Sequence, residues 1–119
     1  MTQKIRAFVA VEGASFTIAA LIHFGVLMTG FEHRKAGTAE SVIALVLLGG
    51  LVVSLLRPAS TRAVGFGVQS FALLGTLVGI FTIAIGVGPR TVPDILYHVV
   101  IVAVLAVGLV TSAPARVRR

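Results

Sequence analysis

Val42-Ile43-Ala44-Leu45-Val46-Leu47-Leu48 is an unbroken apolar run in which polar and apolar side chains do not alternate. A half-buried strand alternates with period two, and so do the strands of a membrane β-barrel, so the run reads as part of a helix that is apolar on every side. A bilayer core of about 30 Å needs roughly 20 helical residues, and the apolar segment around this run, from about Thr38 to Leu56, meets that demand.

Three further segments of the same kind flank it: about Arg6 to Gly30, Ala63 to Gly88 and Pro93 to Ala113. They are separated by Phe31-Glu32-His33-Arg34-Lys35-Ala36-Gly37, by Arg57-Pro58-Ala59-Ser60-Thr61-Arg62, and by Gly86-Val87-Gly88-Pro89-Arg90-Thr91-Val92-Pro93. Pro93 suits a first helical turn, where no N–H is needed, and Asp94 beside it meets the positive end of the helix dipole. The expected architecture is an all-α membrane protein, a single domain over residues 1–119 folded as a four-transmembrane-helix antiparallel bundle, with helices at 6–30, 38–56, 63–88 and 93–113.

Composition supports this. Of 119 residues, 57% are hydrophobic and 12% charged, against about 25% charged in an average soluble domain. A soluble chain this small could not cover its surface with so few polar groups, and so apolar a chain is not disordered. Cysteine is absent, which removes disulfides and thiolate chemistry. The first segment is too long for the apolar region of a signal peptide and contains Glu12 and His23, so a retained helix is expected.

The net charge of +6 is read by position. Lys4, Arg6, Arg57, Arg62, Arg116, Arg118 and Arg119 fall on one side, and Arg34, Lys35 and Arg90 on the other. The excess places both termini in the cytoplasm of a multi-pass protein of the cell (inner) membrane. Lipid is then the expected partner, and nucleic acid is not.

Ionisable residues inside a membrane cost a few kcal/mol each and usually face the bundle interior. Glu12 and His23 are 11 residues apart, about three turns, and share a face of the first helix. Asp94 and His98 are spaced i, i+4 on the fourth. Glu40 aligns with Ala44, Leu47, Leu51 and Ser54 on the second, and Gly65, Gln69, Ala72, Thr76 and Gly79 align on the third. Depth counting brings His23, His98, Glu40 and Asp94 to one outer-half cluster, with His33 in the loop above. Glu12 and Gln69 form a polar pair in the inner half.

Two imidazoles with carboxylates suit a divalent transition metal, a proton relay or a protonation switch. Two histidines at equal depth also suit bis-histidine haem b, though Val99-Val100-Ile101-Val102 after His98 leaves little room for a macrocycle. The same residues equally fit a purely structural role, with Glu40 and Asp94 as helix-start residues and His98 paired with Asp94.

Glu12, a single carboxylate in the first of four short helices, is similar to the pattern of small multidrug resistance transporters, in which such a carboxylate exchanges protons for a cationic drug. The likeness covers that residue and the four-helix size. The chain has no tryptophan and only Tyr97, where those transporters use aromatic walls. The hydropathy outline also resembles the DoxX-like group of small bacterial four-helix membrane proteins, and no site is carried over from it.

Gly75 and Gly79 form a GxxxG pair on the third helix, suited to close packing within the bundle or to a dimer. With no nucleophile constellation evident, autonomous catalysis is not expected. The expected function is a small membrane protein binding a cation, proton or small ligand at the outer-half cluster, as a homo-oligomeric transporter or metal-binding membrane subunit. The alternatives are an accessory or assembly subunit of a larger membrane complex, and a haem- or quinone-linked redox protein.

Overall fold

The computed structural model describes residues 1–115, so the expected cytoplasmic charges Arg116, Arg118 and Arg119 lie outside the described residues. The described chain is helical without strands: α1 (Thr2–His23), α2 (Arg34–Leu56), α3 (Thr61–Ala84) and α4 (Val92–Ser112), with one turn of 3-10 helix at Pro58–Ser60. All four helices are long and apolar enough to cross a membrane. The outward faces are greasy throughout: Leu45 is 72% exposed, Leu74 65% and Val110 79%. In water such faces would be an aggregation liability; in lipid they are the ordinary surface.

The helices pack as consecutive neighbours, and α1 closes the bundle against α4 and also touches α3. Most of the stripes expected from the spacing face inward, while Leu51 on α2 and Gly79 on α3 are only half-buried. Glu40, Ala44, Leu47 and Ser54 are buried on α2, Gly65, Gln69, Ala72 and Thr76 on α3, and Asp94, Ile101, Leu105, Gly108 and Ser112 on α4. Between the two polar zones lies a dry layer containing Phe16, Ile43, Ala44, Leu47, Ala72, Ile101 and Leu105.

Gly75 and Gly79 serve this packing. A Cβ on Gly75 would lie 2.8 Å from Ile43 Cδ1 of α2, and one on Gly79 would lie 3.1 Å from His98 Nε2 of α4. Both glycines thus admit neighbours of their own bundle.

Four helix ends differ from expectation by four residues or more, among them the start of α1, at Thr2 rather than near Arg6. α1 stops at His23 rather than near Gly30, and α3 at Ala84 rather than near Gly88. Each ends in a Schellman motif. Gly25 (φ +75) and Gly86 (φ +85) take the left-handed position. Gly25 N–H donates to Ile22 O and Val26 N–H to Leu21 O; at the second end Gly86 N–H donates to Ile83 O and Val87 N–H to Thr82 O. Apolar residues continue past both stops, so hydropathy alone overruns them. α2 begins at Arg34, four residues before the expected Thr38, because the His33 ring caps it: Nδ1 accepts from Ala36 N–H at 3.1 Å.

The Gly86 stop is testable. A Cβ there meets only the end of the Arg90 side chain, at 3.8 Å, so Gly86→Ala isolates the left-handed strain of about 1–2 kcal/mol. Thermal unfolding in detergent should show a lowered midpoint for Gly86→Ala and a smaller drop for Gly86→Asn.

At the opposite end two arginines tie helices together. Arg6 of α1 donates to Ser54 O at 2.6 Å and Ser54 Oγ at 3.3 Å, and Arg62 of α3 donates to Ala113 O.

Candidate functional site

His23 is the last residue of α1, where the chain turns away at Gly25. The loop then folds back over it, with His33 N–H donating to His23 O at 2.8 Å. His23 therefore does not lie about two turns inside the helix end, as a helix running to Gly30 would place it. It sits at the mouth of the bundle under a lid of loop, and is still only 4% exposed.

Two carboxylates from other helices take both of its ring nitrogens. His23 Nδ1 lies 2.7 Å from Glu40 Oε2 of α2, and His23 Nε2 lies 2.9 Å from Asp94 Oδ1 of α4. Glu40 and Asp94 are 6% and 7% exposed. Asp94 is fixed from a second side by a capping box. Its backbone N–H donates to Thr91 Oγ1 at 3.3 Å, and its Oδ2 accepts from Thr91 N–H at 3.2 Å and from the Thr91 hydroxyl. The capping box holds the start of α4 and aims the carboxylate at the imidazole.

The proton count of this triad follows from its contacts. Each nitrogen–oxygen contact needs one proton, so two are required between the three groups. An imidazolium with two carboxylates supplies them; so does a neutral imidazole with one carboxylic acid and one carboxylate. Both arrangements carry net charge −1. Removing a proton leaves one contact acceptor-to-acceptor and raises the charge to −2 in a site sheltered from water.

Of the expected outer cluster, His23, Glu40 and Asp94 come together and His98 does not join them. His98 Nδ1 donates to the Asp94 backbone carbonyl at 2.7 Å, one turn back on its own helix, and its Nε2 faces Gly79. His33 stays in the loop: it caps α2 through Nδ1, so Nε2 carries the hydrogen and donates to Val87 O at 3.1 Å. Its ring centroid is 6.4 Å from that of His23. Among the described residues no three His, Asp or Glu side chains form a group able to hold a metal ion. The cause is visible in the triad: the only histidine in it spends both nitrogens on carboxylates.

Two hollows flank the triad. A cleft of about 460 Å³ runs from His23 and Asp94 along Ile18, Ile22, Met28 and Phe31. A smaller cavity of about 170 Å³ touches Glu40, Lys35, Thr76 and His98. Tyr97 borders both and packs edge-on against Phe16 and His98, and among the described residues its hydroxyl has no hydrogen-bond partner. Spacing and depth do not single out Tyr97 as a site residue. The signal was its standing as the single tyrosine, three residues from Asp94.

In the half of the bundle away from the triad, Glu12 and Gln69 are both fully buried and both reach the face of Gly108. This is the pair that depth counting brings together.

No protein-family model, curated protein or solved structure matches the chain.

Proposed function

We propose that this chain is a proton-binding integral membrane protein of the cell's inner membrane, with both termini cytoplasmic. Its His23–Glu40–Asp94 triad takes up and releases one proton at the outer mouth of the bundle. The observation that carries the reading is the His23 ring bridging carboxylates of two other helices through both nitrogens. With a carboxylate on each nitrogen, the ring holds a proton whose loss changes the charge of the site. Because the three groups come from α1, α2 and α4, losing that proton would loosen the bundle where the cleft opens.

The cleft supplies the coupled partner: a small, mainly apolar ligand whose polar end meets Asp94. A ligand that prefers one protonation state shifts the proton, and the proton shifts the ligand by the same factor. This is the working arrangement of a proton-coupled transporter, and a homo-oligomer would enclose the lipid-facing side of the cleft. The orientation rests on charge: Lys4, Arg6, Arg57 and Arg62 gather at the end opposite the triad, as positive-inside topology requires.

Nitrogen NMR of ring-labelled histidine in lipid bilayers tests the reading, with His23 assigned by its loss in His23→Gln. We expect two protons shared among His23, Glu40 and Asp94 at mildly acid pH, and one released on alkalinisation in a single step. The other groups facing the triad are His33, Thr91, Tyr97, His98 and Lys35, so His33→Gln and His98→Gln should leave that step in place. A neutral His23 beside two ionised carboxylates throughout the pH range would overturn the reading.

A further inference from the structure

Glu12 lies on α1, 11 residues before His23 and about 16 Å away along the helix. The dry layer around Phe16, Leu47 and Leu105 separates the two. Its side chain is 0% exposed. Among the described residues both of its carboxyl oxygens lack a hydrogen-bond partner, as does Gln69 Oε1. Three orphan acceptors in one buried place require an explanation.

The orientation of Gln69 is fixed by what surrounds its other end. Nε2 lies 2.9 Å from Gly65 O, 3.0 Å from Ser112 Oγ and 3.4 Å from Gly108 O. The Ser112 hydroxyl spends its own proton on Gly108 O, at 2.9 Å. That end of the amide therefore meets acceptors only, and it has to be the NH₂. Oε1 is left pointing at the face of Gly108, where Glu12 Oε1 arrives as well. Two acceptors that share a spot lacking a donor are satisfied by one proton between them.

No counter-charge offers an alternative. Among the described residues, no lysine, arginine or histidine nitrogen pairs with Glu12. Apart from Glu40 and Asp94 at the other end of the bundle, none of the buried residues of α2, α3 and α4 is ionisable. Arg6, on its own helix, is committed to Ser54. An isolated buried carboxylate with neither donor nor cation is the costly state that a protein avoids by taking up a proton.

We propose that Glu12 is a second proton-binding site, in the inner half of the bundle, held as the neutral acid with its O–H donating to Gln69 Oε1. It does not depend on the outer triad, since the dry layer lies between them. Gln69, held by Gly65 and Ser112, is the positioning residue that receives the proton's hydrogen bond.

Infrared difference spectroscopy of the full chain in lipid bilayers tests this. At neutral pH the wild type should show a protonated-carboxyl carbonyl band that disappears entirely in Glu12→Gln. Gln69→Leu removes the acceptor, so the same band should persist and move to the frequency of a free carbonyl. The band should survive in the double variant Glu40→Gln/Asp94→Asn, which separates this site from the triad. Dicyclohexylcarbodiimide, which adds to carboxylic acids rather than carboxylates, should label Glu12 equally in sodium chloride and in choline chloride. An unchanged carbonyl region in Glu12→Gln would overturn the proposal. So would protection of Glu12 by sodium, which would make the site a metal-cation site. Should Glu12→Gln fail to fold, the band shift in Gln69→Leu decides: no shift refutes the hydrogen bond.

Discussion

His23→Ala should destabilise the folded bundle by about 3–5 kcal/mol, the range seen when one partner of a buried ion pair is removed. The substitution leaves Glu40 and Asp94, 6% and 7% exposed, without the ring that separates and satisfies them. Two carboxyls then share a water-poor mouth with no cation between them. The magnitude discriminates between readings. Ordinary interhelical hydrogen bonds in membranes are worth about 0.6 kcal/mol on average, so two neutral bonds would cost about 1 kcal/mol. The double variant Glu40→Gln/Asp94→Asn keeps the shapes and removes both charges, so its loss should stay near the lower figure. Denaturant or detergent titration of both variants gives the comparison. A cycle through His23→Ala, Asp94→Asn and their combination should show strong non-additivity, because the groups act as one network. A His23→Ala loss no larger than that of the double amide variant would mean that the triad holds no charge to protect.

Most of the fold, and part of the site, was legible in the sequence because membrane helices expose their polar budget openly. With so few ionisable residues, depth counting gathers His23, Glu40 and Asp94 at one end of the bundle and puts Glu12 level with Gln69. The failures have physical causes. His98 shares the Asp94 stripe, but a histidine one turn past a carbonyl can donate to it, and i, i+4 spacing does not say which way the ring turns. The end of α1 was hidden because Val26-Leu27-Met28 prolongs the apolar run, while the deciding residue, Gly25, acts through its φ of +75 rather than through hydropathy. The Thr91–Asp94 capping box shows in the sequence as a Thr-x-x-Asp pattern before an apolar run, a second role for Asp94 beside that of dipole partner. Nothing in the sequence could reveal that Gln69 presents its oxygen to Glu12. That follows from the acceptors crowding its nitrogen.

Gly108→Ala should be among the most damaging single-methyl changes in the molecule, while Gly49→Ala and Gly67→Ala should be harmless or stabilising. The three substitutions are chemically identical and all lie within long helices. At Gly49 and Gly67 a Cβ meets nothing within 4 Å among the described residues, so alanine brings only its higher helix propensity, a gain of up to about 1 kcal/mol. At Gly108 the new methyl would land on Gln69 Oε1 and lie 2.7 Å from Glu12 Oε1. A clash with a flexible side-chain end is cheap only if that end can swing away. Gln69 cannot, because its nitrogen is tied to Gly65 O and Ser112 Oγ. Overpacking of this kind costs about 1–3 kcal/mol, and displacing Gln69 or Glu12 adds the cost of separating the buried acid from its acceptor. Unfolding of the three variants side by side should therefore give opposite signs. In Gly108→Ala that still folds, the Glu12 carbonyl band should move as it does in Gln69→Leu. Equal stability of Gly108→Ala and Gly49→Ala would show that the inner pair is loosely held, and that the space beside Gly108 is not shaped around a bound proton.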